Sequence, residues 1–397
     1  MVSDGLSGKF RDKSHMIRVL NVNDSLALKT GGGTAERTFQ ISRFLAKAGA
    51  ECTVLVLNTD LDNARIEGVA PAVVVALPCL WGRFRVPRLK LQAISELVSR
   101  ADIVHLMGHW SVLNAMIYFV LRRARVPYVV CPAGALPLFG RSRLLKRIYN
   151  AIIGKALIRN ASGWVAVTAS EIPHFNEYGI PSARISILPN GVSAEDFECP
   201  DTDKFLLKHR IQDVPLILFM GRLNPIKGPD LLLKAFIRVC GCLDRHHLVF
   251  VGPDGGMLAE LRELADQAGV TKRVHFLGFL SGEEKCAAYH VAHLLVVPSR
   301  QEAMSIVALE AGICGTPALM TDQCGFAEIR TVDPRLEVPA SVEGLAGGLL
   351  ALLDGTDACE TIASDWRDFV VQKYAWTSIA PKFISLYREI LVNSTNA

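Results

Sequence analysis

At 397 residues the chain is long for one hydrophobic core and comfortable for two domains. Half of it is hydrophobic and 21% is charged, which excludes a disordered chain. No apolar run reaches the roughly eighteen residues of a membrane span, and the polar stretch Met1 to Ser14 lacks the apolar centre of a signal peptide. The net charge of +4 hides an asymmetry, because residues 81–160 carry fourteen Lys and Arg against Glu96 and Asp102 alone. That stretch holds +12 and the remainder −8. A basic field of this size attracts anionic lipid headgroups, lipid diphosphates or nucleic acid. The ten cysteines are scattered, and the nearest pair, Cys240 and Cys242, lacks the two-residue spacing of zinc or redox motifs. They read as buried, reduced thiols of a cytoplasmic protein, with no metal site expected.

In chain order, a polar tail over 1–15 precedes a strand at Ile17 to Val22. A glycine turn, Gly31-Gly32-Gly33, then opens a helix from about Ala35 to Ala48. Short apolar strands recur at Cys52 to Leu57, Ala72 to Leu77, Ile103 to Leu106, Tyr128 to Cys131, Gly163 to Val167 and Ile185 to Leu188, most of them separated by helical patterns. Such alternation specifies a parallel sheet covered on both faces. Around Glu195 to Arg210 the pattern lapses into a polar stretch with Pro200, which reads as a linker. It restarts with strands at Leu216 to Met220, Leu248 to Val251, Val274 to Leu277, Leu294 to Val297 and Pro317 to Met320. A last helix, Ile379 to Val392, spaces Phe383, Leu386, Tyr387, Ile390 and Leu391 on one face.

Two charged clusters follow strands of the second half: Arg222 with Lys227, and Glu302 with Glu310. Ligands of an open parallel sheet bind at the carboxyl ends of its strands, so both clusters are expected at one crevice. Two cations there suit a diphosphate, and two carboxylates suit sugar and ribose hydroxyls. The helix opening near Ser305 and Ile306 adds unpaired N–H groups that attract anions. Each pair taken singly is as well explained by solvated loop and helix charges.

Three features belong to the first half. Gly31 to Gly33 would let backbone approach a ligand, but Glu36 stands where the dinucleotide fingerprint wants its last glycine, which disfavours a nicotinamide dehydrogenase. His105 and His109 close the fourth strand, and His109 is either a site residue or a second core histidine. Arg141, Arg143, Lys146 and Arg147 crowd the start of an apolar stripe, Leu144, Leu145, Ile148, Tyr149, Ile152, Ile153 and Leu157. The stripe suits core packing or an anionic membrane surface.

Together these segments resemble the retaining glycosyltransferases of the GT-B class with the glutamate–seven residues–glutamate motif (group 1, family 4), including enzymes of bacterial exopolysaccharide and lipopolysaccharide assembly. The resemblance rests on Gly31 to Gly33, Ile187-Leu188-Pro189-Asn190-Gly191-Val192, Gly221 to Gly228, Val251-Gly252-Pro253, Phe276-Leu277-Gly278, and Pro298-Ser299 through Glu302 to Glu310. It implies an α/β fold of two Rossmann-like doubly wound domains facing a central cleft. The acceptor-side domain would span 16–195, a linker 196–212 and the donor domain 213–375, with a helix over 376–397 returning to the first domain. By the same resemblance, Arg222 and Lys227 hold the donor diphosphate, Glu302 meets the donor sugar, amides near Ser305 and Ile306 meet phosphate, and Glu310 meets the ribose. Gly31, Gly32 and Gly33 approach from the other domain. No cofactor or metal is implied. The expected partners are a UDP- or GDP-sugar and a lipid-linked or saccharide acceptor, with peripheral contact to an anionic inner membrane face through Arg141, Arg143, Lys146 and Arg147, and no nucleic acid. Two positions depart from the pattern. Met304-Ser305 stands for the usual Phe-Gly, and Met107 for a histidine facing the acceptor, leaving His109 as its candidate replacement. A sugar-nucleotide epimerase of similar architecture, and a non-catalytic binding protein, are the competing readings.

Overall fold

The computed structural model describes residues 16–81, 85–88, 90–138, 142–198, 200–212, 214–353 and 358–395. The tail over 1–15 and Arg141 lie outside them. The chain divides into two compact units, one running to Asn190 and resuming at Trp376, the other Gly191–Ala375.

The first unit opens with β1 (Arg18–Val22), α1 (Leu28–Lys47), β2 (Glu51–Leu57), α2 (Asn63–Gly68) and β3 (Val73–Leu77), then a small antiparallel pair, β4 (Cys79–Trp81) and β5 (Val86–Pro87). There follow α3 (Leu91–Arg100), β6 (Ile103–Met107), α4 (Val112–Ala124) and β7 (Tyr128–Cys131). Next come α5 (Arg143–Tyr149), a π turn (Asn150–Gly154), α6 (Lys155–Arg159), β8 (Gly163–Ala166), α7 (Ile172–Asn176) and β9 (Ile185–Ile187). Seven strands pair in parallel in the order β3-β2-β1-β6-β7-β8-β9. Every position of β6, β7 and β8 is buried, the reason these strands read as unbroken apolar runs.

The second unit contains α8 (Thr202–His209), β10 (Leu216–Met220), α9 (Pro229–Val239), β11 (His247–Val251), α10 (Leu258–Gln267), β12 (Val274–Gly278) and α11 (Gly282–His290). It continues through β13 (Ala292–Val297), α12 (Ile306–Ile313), β14 (Ala318–Thr321), β15 (Glu337–Val338), α13 (Val342–Leu353) and α14 (Ala358–Tyr374). Its six strands are parallel in the order β12-β11-β10-β13-β14-β15, a doubly wound arrangement.

The last helix, α15 (Trp376–Thr395), returns to the first unit as expected. Trp376 stacks on Phe44, the Tyr387 hydroxyl lies 2.7 Å from His105 Nδ1, and Phe383 sits under the Arg37 guanidinium. Arg37 itself, 1% exposed, donates to the carbonyls of Leu188 and Pro189 and to Asn190 Oδ1 at 2.7–2.8 Å. A buried cation with three oxygen partners ties α1 to the end of the unit.

Two expectations need correction. The stretch 196–212, read as a linker, belongs to the second unit and carries α8. Asp201 caps it by accepting from the Lys204 N–H at 2.9 Å, and Arg210 closes it in the left-handed region. The glycine turn is also different. Helical backbone begins at Leu28, and only Gly32, with φ 66 and ψ −163, breaks it.

Candidate functional site

β10 and β13 are adjacent in the second sheet although they are its first and fourth strands in sequence. Strand order reverses between them, so the loops leaving their carboxyl ends diverge and open a crevice. β10 leads into Gly221 to Gly228, and β13 into Pro298 to Ser305. Two glycines permit the close approach. At Gly228 (φ +67) a Cβ would stand 2.0 Å from the Pro298 carbonyl oxygen, and at Gly252 (φ +141) 1.9 Å from that of Gly221.

The loops are cross-linked by charge. Arg300 sets its guanidinium against both Asp230 oxygens at 2.8 and 2.6 Å and donates to the Pro225 carbonyl at 2.7 Å. Burial alone raises the Asp230 carboxyl, but the Arg300 hydrogen bonds and charge outweigh it and hold the group below its ordinary range. Beside this clamp, Lys227 Nζ lies 2.7 Å from Glu302 Oε1, while Ser299 Oγ donates to Glu302 Oε2 at 3.0 Å. The Glu302 N–H donates to the Gln323 carbonyl, fixing the backbone that carries the carboxylate. Arg222 packs against Gly255, where a Cβ would come within 2.9 Å of the arginine Cγ.

Glu310 stands apart from this pair. It is 4% exposed on α12, and both its oxygens are held from α11. Lys285 Nζ reaches Oε1 and the Tyr289 hydroxyl donates to Oε2, each at 2.6 Å. Burial, reinforced by the Glu310 charge, pushes the Tyr289 phenol well up, so it remains a donor. Ser305 caps α12, its Oγ accepting from the Ala308 N–H, and leaves the first-turn amides from Ile306 without helical partners. The structure therefore joins Lys227 to Glu302 and gives Glu310 a separate cradle. Lys285, Tyr289, Arg300 and Asp230 were missed by the sequence reading. The one legible signal was Lys285 and Tyr289 four apart on a helix entering β13.

In the first unit His109, a catalytic candidate from sequence, is an interior side chain with 1% exposure. Its Nε2 donates to Asn150 Oδ1 at 2.9 Å, and the rings of Trp110, Tyr149 and Tyr178 surround it edge-on. Burial pulls its pKa down to about 4. It does not reach a surface where an acceptor could meet it, and Met107 is buried as well. The basic segment departs from the core-packing reading: Leu144, Leu145, Ile148 and Ile152 are exposed, and only Ile153 and Leu157 of the stripe are buried. Among the described residues one group has soft-metal donor types, Cys286, His290 and Cys314, with ligand atoms within 4.8 Å of one another. Burial pushes the Cys314 thiol far up, which keeps it protonated.

Residues 201–369 match the family Glycosyl transferases group 1, and residues 32–191 the Glycosyl transferase 4-like domain. The chain is 27% identical over 384 residues to D-inositol 3-phosphate glycosyltransferase of Mycolicibacterium smegmatis, across 89% of this chain and 82% of that one. Anabaena Alr3699/HepE, solved in complex with UDP and glucose, superposes with a TM-score of 0.76 at 18% identity, over 93% of this chain and 99% of that one. Sucrose-phosphate synthase from Thermosynechococcus elongatus does so with 0.75 at 21%, over 95% and 100%. At such identities the solved structures speak for the fold alone. The first match takes in the whole six-stranded sheet and the second every strand of the seven-stranded sheet but β1, so the chain carries glycosyltransferase domains of these two families.

Proposed function

We propose that the protein transfers a hexose from a nucleoside diphosphate sugar, UDP-linked in the first instance, to an acceptor hydroxyl with retention of anomeric configuration. The observation that carries this reading is the Lys227–Glu302 pair at the β10/β13 switch point, 2.7 Å apart. An arriving diphosphate competes with Glu302 for Lys227. As phosphate oxygens take the ammonium, the carboxylate is released to accept hydrogen bonds from sugar hydroxyls. Arg222 shares the diphosphate, the α12 amides near Ser305 and Ile306 meet its oxygens, and Glu310, fixed by Lys285 and Tyr289, accepts from the ribose. The glycosyl C1–oxygen bond to phosphate then breaks as the acceptor oxygen bonds C1 on the same face. The acceptor proton passes to the departing phosphate, whose charge Arg222 and Lys227 stabilise. The UDP bound by Alr3699/HepE supports the donor class.

For the acceptor we favour a lipid-linked or polysaccharide-precursor hydroxyl, as in cell-surface polysaccharide synthesis. The relatives named for inositol 3-phosphate support a phosphorylated polyol as the second reading. Incubation with UDP- and GDP-sugars against lipid-linked, saccharide and inositol phosphate acceptors, with products read by NMR, separates these. An α-linked product from an α-donor supports the proposal. An inverted linkage defeats retention, and an epimerised sugar nucleotide with no acceptor requirement would replace transfer by epimerisation. Full activity in both Arg222→Ala and Lys227→Ala would remove the site assignment.

A further inference from the structure

The apolar stripe after Ser142 is continuous in sequence but not in space. Upstream of the π turn, Leu144 (69% exposed), Leu145 (56%) and Ile148 (45%) face solvent, and Ile152 inside it is 75% exposed. Ile153, also within the turn, and Leu157 and Ile158 downstream of it are in the core. A π turn inserts backbone into the helical repeat and so rotates the upstream helix relative to the downstream one. Side chains lock this turn. Asn150 accepts from His109 and donates to the Tyr178 hydroxyl at 2.7 Å, and at Gly154 a Cβ would stand 2.3 Å from Asn150 Oδ1. The interior histidine thus anchors the residue that turns α5 apolar side outward, which is a structural role.

The exposed face has a definite chemistry. Leu144, Leu145, Ile148 and Ile152 fall within about a third of the helix circumference. Arg143 and Arg147 are exposed along its border, Lys146 lies over the Trp110 ring, and Lys155 is exposed beyond the turn. No Asp or Glu occurs between Asp102 and Glu171. Large aliphatic side chains set among cations, in a stretch of sequence without acidic residues, match the interface of an anionic bilayer. Acyl chains receive the leucines and isoleucines, and headgroup phosphates meet the guanidinium groups. A second copy of the chain would bring the same cations face to face.

We propose that α5 and the π turn form a peripheral docking element for an anionic lipid bilayer. The inference stands on surface chemistry and does not depend on glycosyl transfer. The test is co-sedimentation of the full chain with phosphatidylglycerol–phosphatidylcholine vesicles and with phosphatidylcholine alone. Wild type should partition onto the anionic vesicles, less so at high salt, and at least about tenfold less onto the neutral ones. L144E/I148E and R143E/R147E should each lose about tenfold or more in partitioning while keeping the wild-type melting temperature, since these side chains are exposed. Absence of wild-type binding to anionic vesicles overturns the proposal. So does equal binding to both lipids, or binding that survives both double variants. A dimer in sedimentation velocity without lipid, abolished by L144E/I148E, would assign the face to self-association instead.

Discussion

Replacing Glu302 by Gln should tighten the binding of free UDP while abolishing sugar transfer. The carboxylate lies 2.7 Å from Lys227, with side-chain exposures of 13% and 32%. At an effective dielectric of about 20, unit charges about 4 Å apart interact by about 4 kcal/mol, but exposed pairs measure about 0.2–1 kcal/mol once solvent screens them. Lys227 is nearly a third exposed, so a net value of about 1 kcal/mol is appropriate. Glutamine keeps the shape and can still accept from Ser299, but it no longer holds the ammonium and no longer repels a diphosphate. UDP affinity should therefore rise by about fivefold, since about 1.4 kcal/mol is a factor of ten. Isothermal titration with UDP reads this directly, and transfer from UDP-sugar should fall in the same variant because the sugar loses its carboxylate. Weaker UDP binding by Glu302→Gln would refute the argument, because Glu302 would then be supporting the diphosphate site rather than competing for its lysine.

Two further outcomes follow from buried groups. Tyr289→Phe removes a hydrogen bond to a buried carboxylate, which costs about 1.5–3 kcal/mol. The melting temperature should fall by about 3–12 °C at about 2–4 °C per kcal/mol for a unit of this length, and an unchanged midpoint would show that the phenol does not organise Glu310. Acidification should weaken the first unit. Burial holds His105 at about 3 and His109 at about 4, against about 6.5 when unfolded. Both folded values are depressed, so the unfolded chain takes up protons first. Stability is then lost as pH falls from about 6.5 towards 4, by about 3 kcal/mol for His109 alone. Thermal unfolding across that window should be less steep in His109→Gln, and an identical pH slope in variant and wild type would count against it.

Strands buried on both faces were the most legible part of the chain. β7 was readable to the residue because Tyr128 to Cys131 is apolar throughout and bounded by Pro127 and Pro132. α8 was not, because only Phe205 of that helix is buried and Leu207 is 79% exposed, which erases the apolar period. Its capping aspartate was the signal available. The charged positions of the segments after β10 and β13 could be placed at one sheet edge from order alone. Their partners could not, since Arg300–Asp230 and Lys285–Glu310 join residues 70 and 25 apart through tertiary packing. The basic stripe misled for a definite reason: a period of 3.6 carries no mark of a π turn, which becomes visible only through the Asn150–Gly154 contact.

The return of α15 makes Gly191–Ala375 an insertion within the first unit. Its two ends are neighbours, with Val192 bridged to Ala375 and its N–H bonded to the Tyr374 carbonyl at 2.8 Å. A ribosome therefore finishes the second unit before the first, whose core waits for Trp376, Phe383 and Tyr387 to emerge. Until then α1 and β6 present unfilled apolar surface to chaperones, and a stop codon after Ala375 would spare the second unit while leaving its neighbour incomplete. The same adjacency makes the second unit excisable by joining Asn190 to Trp376 through a short linker, so each half can be made and titrated separately.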